Sequence, residues 1–194
     1  MQEFSMILVN LPAMFLCIAF AARFLGQLGR ADFYNPLGQT TLSITNWIIK
    51  PLRKVVPSIG LMDTSCLVAI YLTQLVFGAL VFAITGNGFY VTTPQFFLAA
   101  LLAVAGALIT VLSFSMFIVA IASFLLAGQY NPFIAFITQI IEPFIGPFRK
   151  LNIQVGMLDL SFLLAILALQ AIKYIALLPA GALVGYPGGL FFGF

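Results

Sequence analysis

The stretch NPLGQTTLSITNWIIKPLRKVVPSIGLMDTSCLVAIYLTQ, residues 35–74, returns as NPFIAFITQIIEPFIGPFRKLNIQVGMLDLSFLLAILALQ, residues 131–170, at an offset of 96 residues and without a gap. Asn35-Pro36 comes back as Asn131-Pro132, and Pro51-x-Arg53-Lys54 as Pro147-x-Arg149-Lys150. Gly60-x-x-Asp63-x-Ser65 comes back as Gly156-x-x-Asp159-x-Ser161, and Gln74 as Gln170. A shared apolar composition produces chance Leu and Ile matches; it does not align Asp, Arg, Lys, Gln and Pro in one register. The chain is therefore two copies of one unit, divided at residues 1–95 and 96–194, and function is to be sought where the copies agree.

Working outward from the repeat, the chain is too greasy for a water-soluble domain. Of its 194 residues 63% are hydrophobic and 7% charged, where soluble domains carry about 25% charge. Four stretches are long and apolar enough to cross a bilayer, which takes about 20 residues. They run from about Phe4 to Leu25, from Thr64 to Ile84, within Phe96 to Ala127, and from Leu160 to Leu178. The third exceeds what one crossing needs and is expected to tilt or project. The first could pass for a secretory signal, with Ala19-Phe20-Ala21 resembling a cleavage site. Its leading residues carry Glu3 and no basic residue, which is wrong for a signal peptide, and the repeat pairs it with the third stretch. It reads as a retained helix.

Charge placement sets the expected topology. Arg30, Lys50, Arg53 and Lys54 lie between spans one and two; Arg149 and Lys150 lie between spans three and four. The loop from Thr85 to Gln95 and the tail after Leu178 carry no charge. The positive-inside rule puts the basic segments in the cytoplasm and both termini outside. Each repeat enters and leaves the cytoplasm, so the two run in the same direction about an axis along the membrane normal. A net charge of +3 is too small to suggest nucleic acid. Cys17 and Cys66 sit at separate spans and read as small packing residues, not a disulfide.

The segment between paired spans is the unusual part. Ser43, Asn46, Lys50 and Arg53 recur at helical spacing on one face, with Ile44, Ile48 and Leu52 on another. In the second copy Gln139, Glu142 and Arg149 take the polar positions, and Ile140, Phe144, Ile145 and Phe148 the apolar ones. The pattern predicts a short amphipathic helix in the interfacial plane, with Trp47 at headgroup level. A re-entrant loop is the alternative, and would require cover by protein or water. Asn35-Pro36 and Asn131-Pro132 are helix-start signals, while Pro51, Pro143 and Pro147 predict a break or kink near the helix end. The fold class that results is an all-α membrane protein. It has about four transmembrane helices in two parallel repeats, each with a short cytoplasmic interfacial amphipathic helix.

Several residues invite a functional reading beside a structural one. Asp63 and Asp159 precede the exiting spans and suit helix caps; a salt bridge or proton site with the nearby Arg-Lys pair is the sharper reading. Arg53, Lys54, Arg149 and Lys150 orient the protein, and could also contact anionic lipid or an acidic partner, at about 1 kcal/mol per charge. Gln74 and Gln170 lie near mid-bilayer, where they would glue helices or line a polar path. Lys173, whose counterpart is Phe77, would snorkel outward or act as a functional charge.

Missing chemistry narrows the field. The chain has no histidine, which removes His-ligated haem, His-containing zinc sites and His-based triads. It has no Gly-rich phosphate loop, and its acidic residues form no evident pair or metal cluster. No catalytic residue, cofactor site or metal site is expected, and the protein reads as non-enzymatic. A channel or transporter is harder to exclude, since oligomerisation could supply a pore. The tail carries Gly181-x-x-x-Gly185, Gly188-Gly189 and a Phe-rich end, which could pack on a neighbour or lie in the outer interface; outside a clear span this is a weak signal.

With these motifs in place, the chain resembles the YggT family of bacterial and plastid membrane proteins, as two units at about residues 5–84 and 101–179. The motif positions are Asn35, Pro36, Pro51, Arg53, Lys54, Gly60, Asp63 and Ser65 and their partners; Pro57 departs, being Ile153 in the second copy. The resemblance implies a bacterial inner-membrane protein associated with osmotic or ionic stress tolerance, division or envelope organisation. Plastid relatives are linked to haem attachment and nucleoid distribution. Without histidine, a haem-related role here would be scaffolding. The leading expectation is an assembly or osmotic-stress-tolerance factor acting through its cytoplasmic segments on lipid, a membrane-protein partner or a second copy. The rival is an oligomeric ion channel or transporter using Gln74, Gln170, Lys173 or the two aspartates.

Overall fold

The computed structural model describes residues 2–60, 62–126, 129–151, 154–155, 158–185 and 191–193. Four helical segments are long and apolar enough to cross a membrane: Phe4–Leu28, Thr64–Ile84, Pro94–Ser123 and Ser161–Leu183. They belong to α1 (Gln2–Leu28), α3 (Thr64–Ile84), α4 (Pro94–Leu125) and the run formed by α6 (Ser161–Ile172), a π-turn (Lys173–Leu177) and α7 (Leu178–Leu183). Between the paired spans lie α2 (Pro36–Leu52) and α5 (Pro132–Arg149), the two amphipathic helices. The order span, amphipathic helix, span thus occurs twice. A short 3₁₀ helix, Gly88–Thr92, joins the halves. Among the described residues strand pairing is confined to a small antiparallel ladder, Gln154 with Asp159 and Val155 with Leu158, and the matching bridge of the first repeat, Ile59 with Met62.

The start signals act as their chemistry dictates. Asn35 Oδ1 accepts from the Leu37 amide at 3.0 Å, and Asn131 Oδ1 from Phe133 at 2.9 Å, with Pro next in each case. Neither helix is interrupted, and each ends within two residues of its last proline. α2 continues through Pro51, and α5 through Pro143 and Pro147. All three prolines are exposed, so each ring projects away from the bundle and costs mainly one backbone bond. A separate irregularity falls in the fourth span, where Leu178 N bonds back to Lys173 O. Pro179 follows; its ring crowds the carbonyl four residues earlier, and the turn relaxes to π spacing.

The face that α2 buries also differs from the expected one. Gly38, Thr41, Thr45 and Ile49 are buried, while Ile44 and Ile48 are only partly covered and Trp47 is exposed. On α5 the buried residues are Phe136, Ile140, Ile141 and Ile145, closer to expectation. The two repeats share one core: Phe20, Ile49 and Cys66 join Phe136, Ile141 and Phe162 in a single cluster. Cys17 and Cys66 are free and buried. Small residues on α4, with Ala99, Ala100, Ala103 and Ala107 fully buried, let neighbouring backbones approach closely.

Phe191–Gly193 returns to the bundle, where Phe191 packs with Phe82 and Phe96. Gly106 makes room for it: a Cβ there would stand 2.5 Å from the Gly193 carbonyl oxygen. Gly181 is buried and Gly185 has a positive φ of 72°; Gly188-Gly189 lies outside the described residues.

Candidate functional site

Polar side chains gather where α1 ends and α3 begins. Asp63, 4% exposed, stands at the N-cap position of α3 but makes no capping bond. This corrects the cap assignment. Oδ2 accepts from Arg53 Nε at 3.0 Å, from Arg53 Nη2, and from Gln27 Nε2 at 3.4 Å. The guanidinium reaches from the end of α2, ten residues earlier, and offers two donors where a backbone amide offers one. Burial alone would push the Asp63 carboxyl up; the hydrogen bonds and charge of Arg53, with Gln27 and Arg23, outweigh it and hold the carboxyl below the usual carboxylate range.

Behind this pair lies a charge that sequence reasoning missed. Arg23, inside the first apolar stretch, is 2% exposed. Its Nη1 donates to Thr45 Oγ1 at 2.6 Å and to Asn46 Oδ1 at 2.9 Å, and the Thr45 hydroxyl in turn donates to Thr41 O at 2.6 Å. This explains why α2 buries Thr45. At the corresponding places of the second repeat stand Val119, Ile141 and Glu142, so there the contact is apolar and Glu142 is released to pair with Arg149 at 2.7 Å. The signal was present: an intramembrane arginine is costly and marks a built site.

Three buried polar atoms here have no partner: Arg23 Nε, Gln27 Oε1 and Asp63 Oδ1. Alongside is a cavity of about 500 Å³ lined by Gln27, Arg30, Arg53, Ser58, Gly60 and Asp63, among others. Arg30 has φ 50°. It closes α1 in the left-handed conformation, with Ala31 N bonded to Gly26 O and Arg30 N to Gln27 O, a terminus that glycine usually supplies.

The remaining expected residues do not join this site. Gln74 and Gln170 act apart: Gln74 binds the Phe192 backbone, and Gln170 Nε2 donates to Ser113 Oγ at 3.3 Å. Lys173 is half-buried at the start of the π-turn. Lys54 and Lys150 are exposed. Arg53 and Arg149 are engaged by Asp63 and Glu142, and the Arg149 guanidinium also lies 5.4 Å from the Phe162 ring centre. The four-cation surface is therefore reduced, because each arginine has an acidic neighbour within reach. The side chain of Asp159 and all of Gly156 lie outside those described. No metal-binding cluster of His, Cys, Asp or Glu occurs among the described residues.

Two copies of span, amphipathic helix and span, crossing twice each and sharing one core, define a multi-pass helical membrane protein with internal duplication. The chain belongs to the CCB3/YggT family, whose profile matches residues 3–84 and 98–180, once per repeat. It is 38% identical over 181 residues to an uncharacterized protein of Pseudomonas aeruginosa, covering 93% of this chain and 91% of that one. It is 30% identical over 154 residues to an uncharacterized protein of Haemophilus influenzae, with 79% and 78% covered. It is 27% identical over 147 residues to the uncharacterized protein YggT of Escherichia coli K12, with 76% and 75% covered. No solved structure matches the chain.

Proposed function

We propose that this protein is a non-enzymatic assembly or scaffold factor of the bacterial inner membrane, contributing to osmotic-stress tolerance, with both termini outside and α2 and α5 on the cytoplasmic side. The observation that carries the reading is the use of intramembrane polar groups within the chain. Gln74 holds the tail backbone, Gln170 holds Ser113, and Arg23 holds Thr45 and Asn46. A conducting path needs polar groups that converge on a shared lumen; these are spent separately on helix and tail contacts. The outward surface then carries the activity: the exposed ammonium groups of Lys50, Lys54 and Lys150, and the exposed Trp47 of α2, face anionic lipid or an acidic protein.

Crosslinking in native membranes at the normal expression level, followed by mass spectrometry, tests this. A reproducible membrane-protein partner, reduced when Lys50, Lys54 and Lys150 are all replaced by Gln, supports the scaffold. Self-crosslinks alone, together with ion flux in liposomes that responds to Lys173→Met, would overturn it in favour of an oligomeric channel or transporter.

A further inference from the structure

The cavity at the α1–α3 end has a composition that selects a ligand. Arg30, Arg53 and Ser58 are among the residues that line it, with Arg23 buried behind and close enough to influence Asp63. Against these three arginines stand Asp63 in the wall and Asp32 between the lining residues Ala31 and Phe33, so the local balance is positive and a bare cation is disfavoured. Yet the unpartnered atoms on the cavity-lining side chains are acceptors, Gln27 Oε1 and Asp63 Oδ1, both covered, so a ligand reaches them only as these side chains turn toward the cavity. An anion that also brings hydroxyl donors satisfies both requirements at once. The volume is that of a small-molecule site. Its position at the ends of two spans is the level of lipid headgroups.

We propose that this cavity binds a phosphate ester bearing free hydroxyl groups, the chemistry of a glycerophosphate. Arg30, Arg53 and Ser58 hold the phosphate; Gln27 Oε1 and Asp63 Oδ1 accept from the hydroxyls. The ligand is either a phosphatidylglycerol headgroup or a free glycerol phosphate. The site is separate from the exposed lysines of α2 and does not depend on the scaffold reading.

The test is native mass spectrometry of the full chain in detergent with short-chain phosphatidylglycerol, phosphatidylmethanol and phosphatidylcholine in equal amounts. Phosphatidylmethanol has the same phosphodiester charge without the hydroxyls. Phosphatidylglycerol is expected to be retained about tenfold over either competitor, the ratio expected for the loss of one or two hydrogen bonds in a buried site. Gln27→Leu should remove the preference over phosphatidylmethanol. Arg30→Gly should lower retention of both anionic lipids while leaving the fold intact, because glycine suits the left-handed backbone at that position. A second arm adds sn-glycerol 3-phosphate without lipid: binding there, with no lipid preference, identifies the free ester as the source and still supports the proposal. Equal retention of all three lipids with no binding of the free ester overturns it. So does a phosphatidylglycerol preference that survives both pocket variants and disappears in Lys54→Gln/Lys150→Gln.

Discussion

The side chain of Gln74 holds the backbone of Phe192 in both directions. Nε2 donates to Phe192 O at 2.9 Å, and Oε1 accepts from Phe192 N at 3.2 Å. The two residues are 118 positions apart, and the pair replaces, within a buried setting, the water the tail backbone would otherwise need. Replacing Gln74 with Leu should cost about 1–3 kcal/mol, because two backbone groups lose their partners. Gln170→Leu, which loses one bond to a hydroxyl, should cost about 0.6 kcal/mol. Unfolding in detergent gives both values, and maleimide labelling of Phe192→Cys reports whether the tail has left the bundle.

Gly106 should respond through the same element. Its Cα surface meets the Gly193 carbonyl, so Gly106→Ala must displace the tail backbone, at about 1–3 kcal/mol. Because Gly106→Ala and Gln74→Leu both undo tail docking, their combined cost should fall short of the sum by more than the about 0.5 kcal/mol tolerance for independent sites. A double-mutant cycle in detergent measures this directly.

Asp63 ties stability to acid. Its folded pKa is below the unfolded value of about 3.9. The contribution is therefore complete above that value and is lost as pH falls through the lower folded pKa. Melting temperature should drop below about pH 4, and Asp63→Asn should flatten that drop while lowering stability at neutral pH. The cost should be about 2 kcal/mol, less than the roughly 3–5 of fully buried pairs because Arg53 is half-exposed.

The two capping asparagines should not be equivalent. Asn131 caps its own helix. Asn35 caps α2 and also donates from Nδ2 to Pro132 O at 2.6 Å, joining the starts of α2 and α5. Asn131→Ala should cost about 1 kcal/mol for the cap, and Asn35→Ala about 1 kcal/mol more for the inter-repeat bond. Comparison of the two single variants by thermal unfolding decides it.

Much of this fold is written locally. Apolar runs of span length, the Asn-Pro starts of α2 and α5, and the 96-residue register of Pro, Arg, Lys, Asp and Gln each depend on residues close in sequence, where propensity and periodicity carry information. The sequence alone therefore determined the number of spans, the duplicated order of elements and the membrane class. Only the tertiary structure decided which partner each polar residue takes. Asp63 turned from its own helix to Arg53, because a guanidinium offers two charged donors. Thr45 faced inward, because Arg23 needed an acceptor in the bundle. Gln74 took the chain's own tail, because an unpaired amide in an apolar interior costs more than ordering that tail. The spans are apolar on all sides, so no periodicity marks their inner faces. Those choices are settled by packing between segments far apart in the chain, and they place the candidate site.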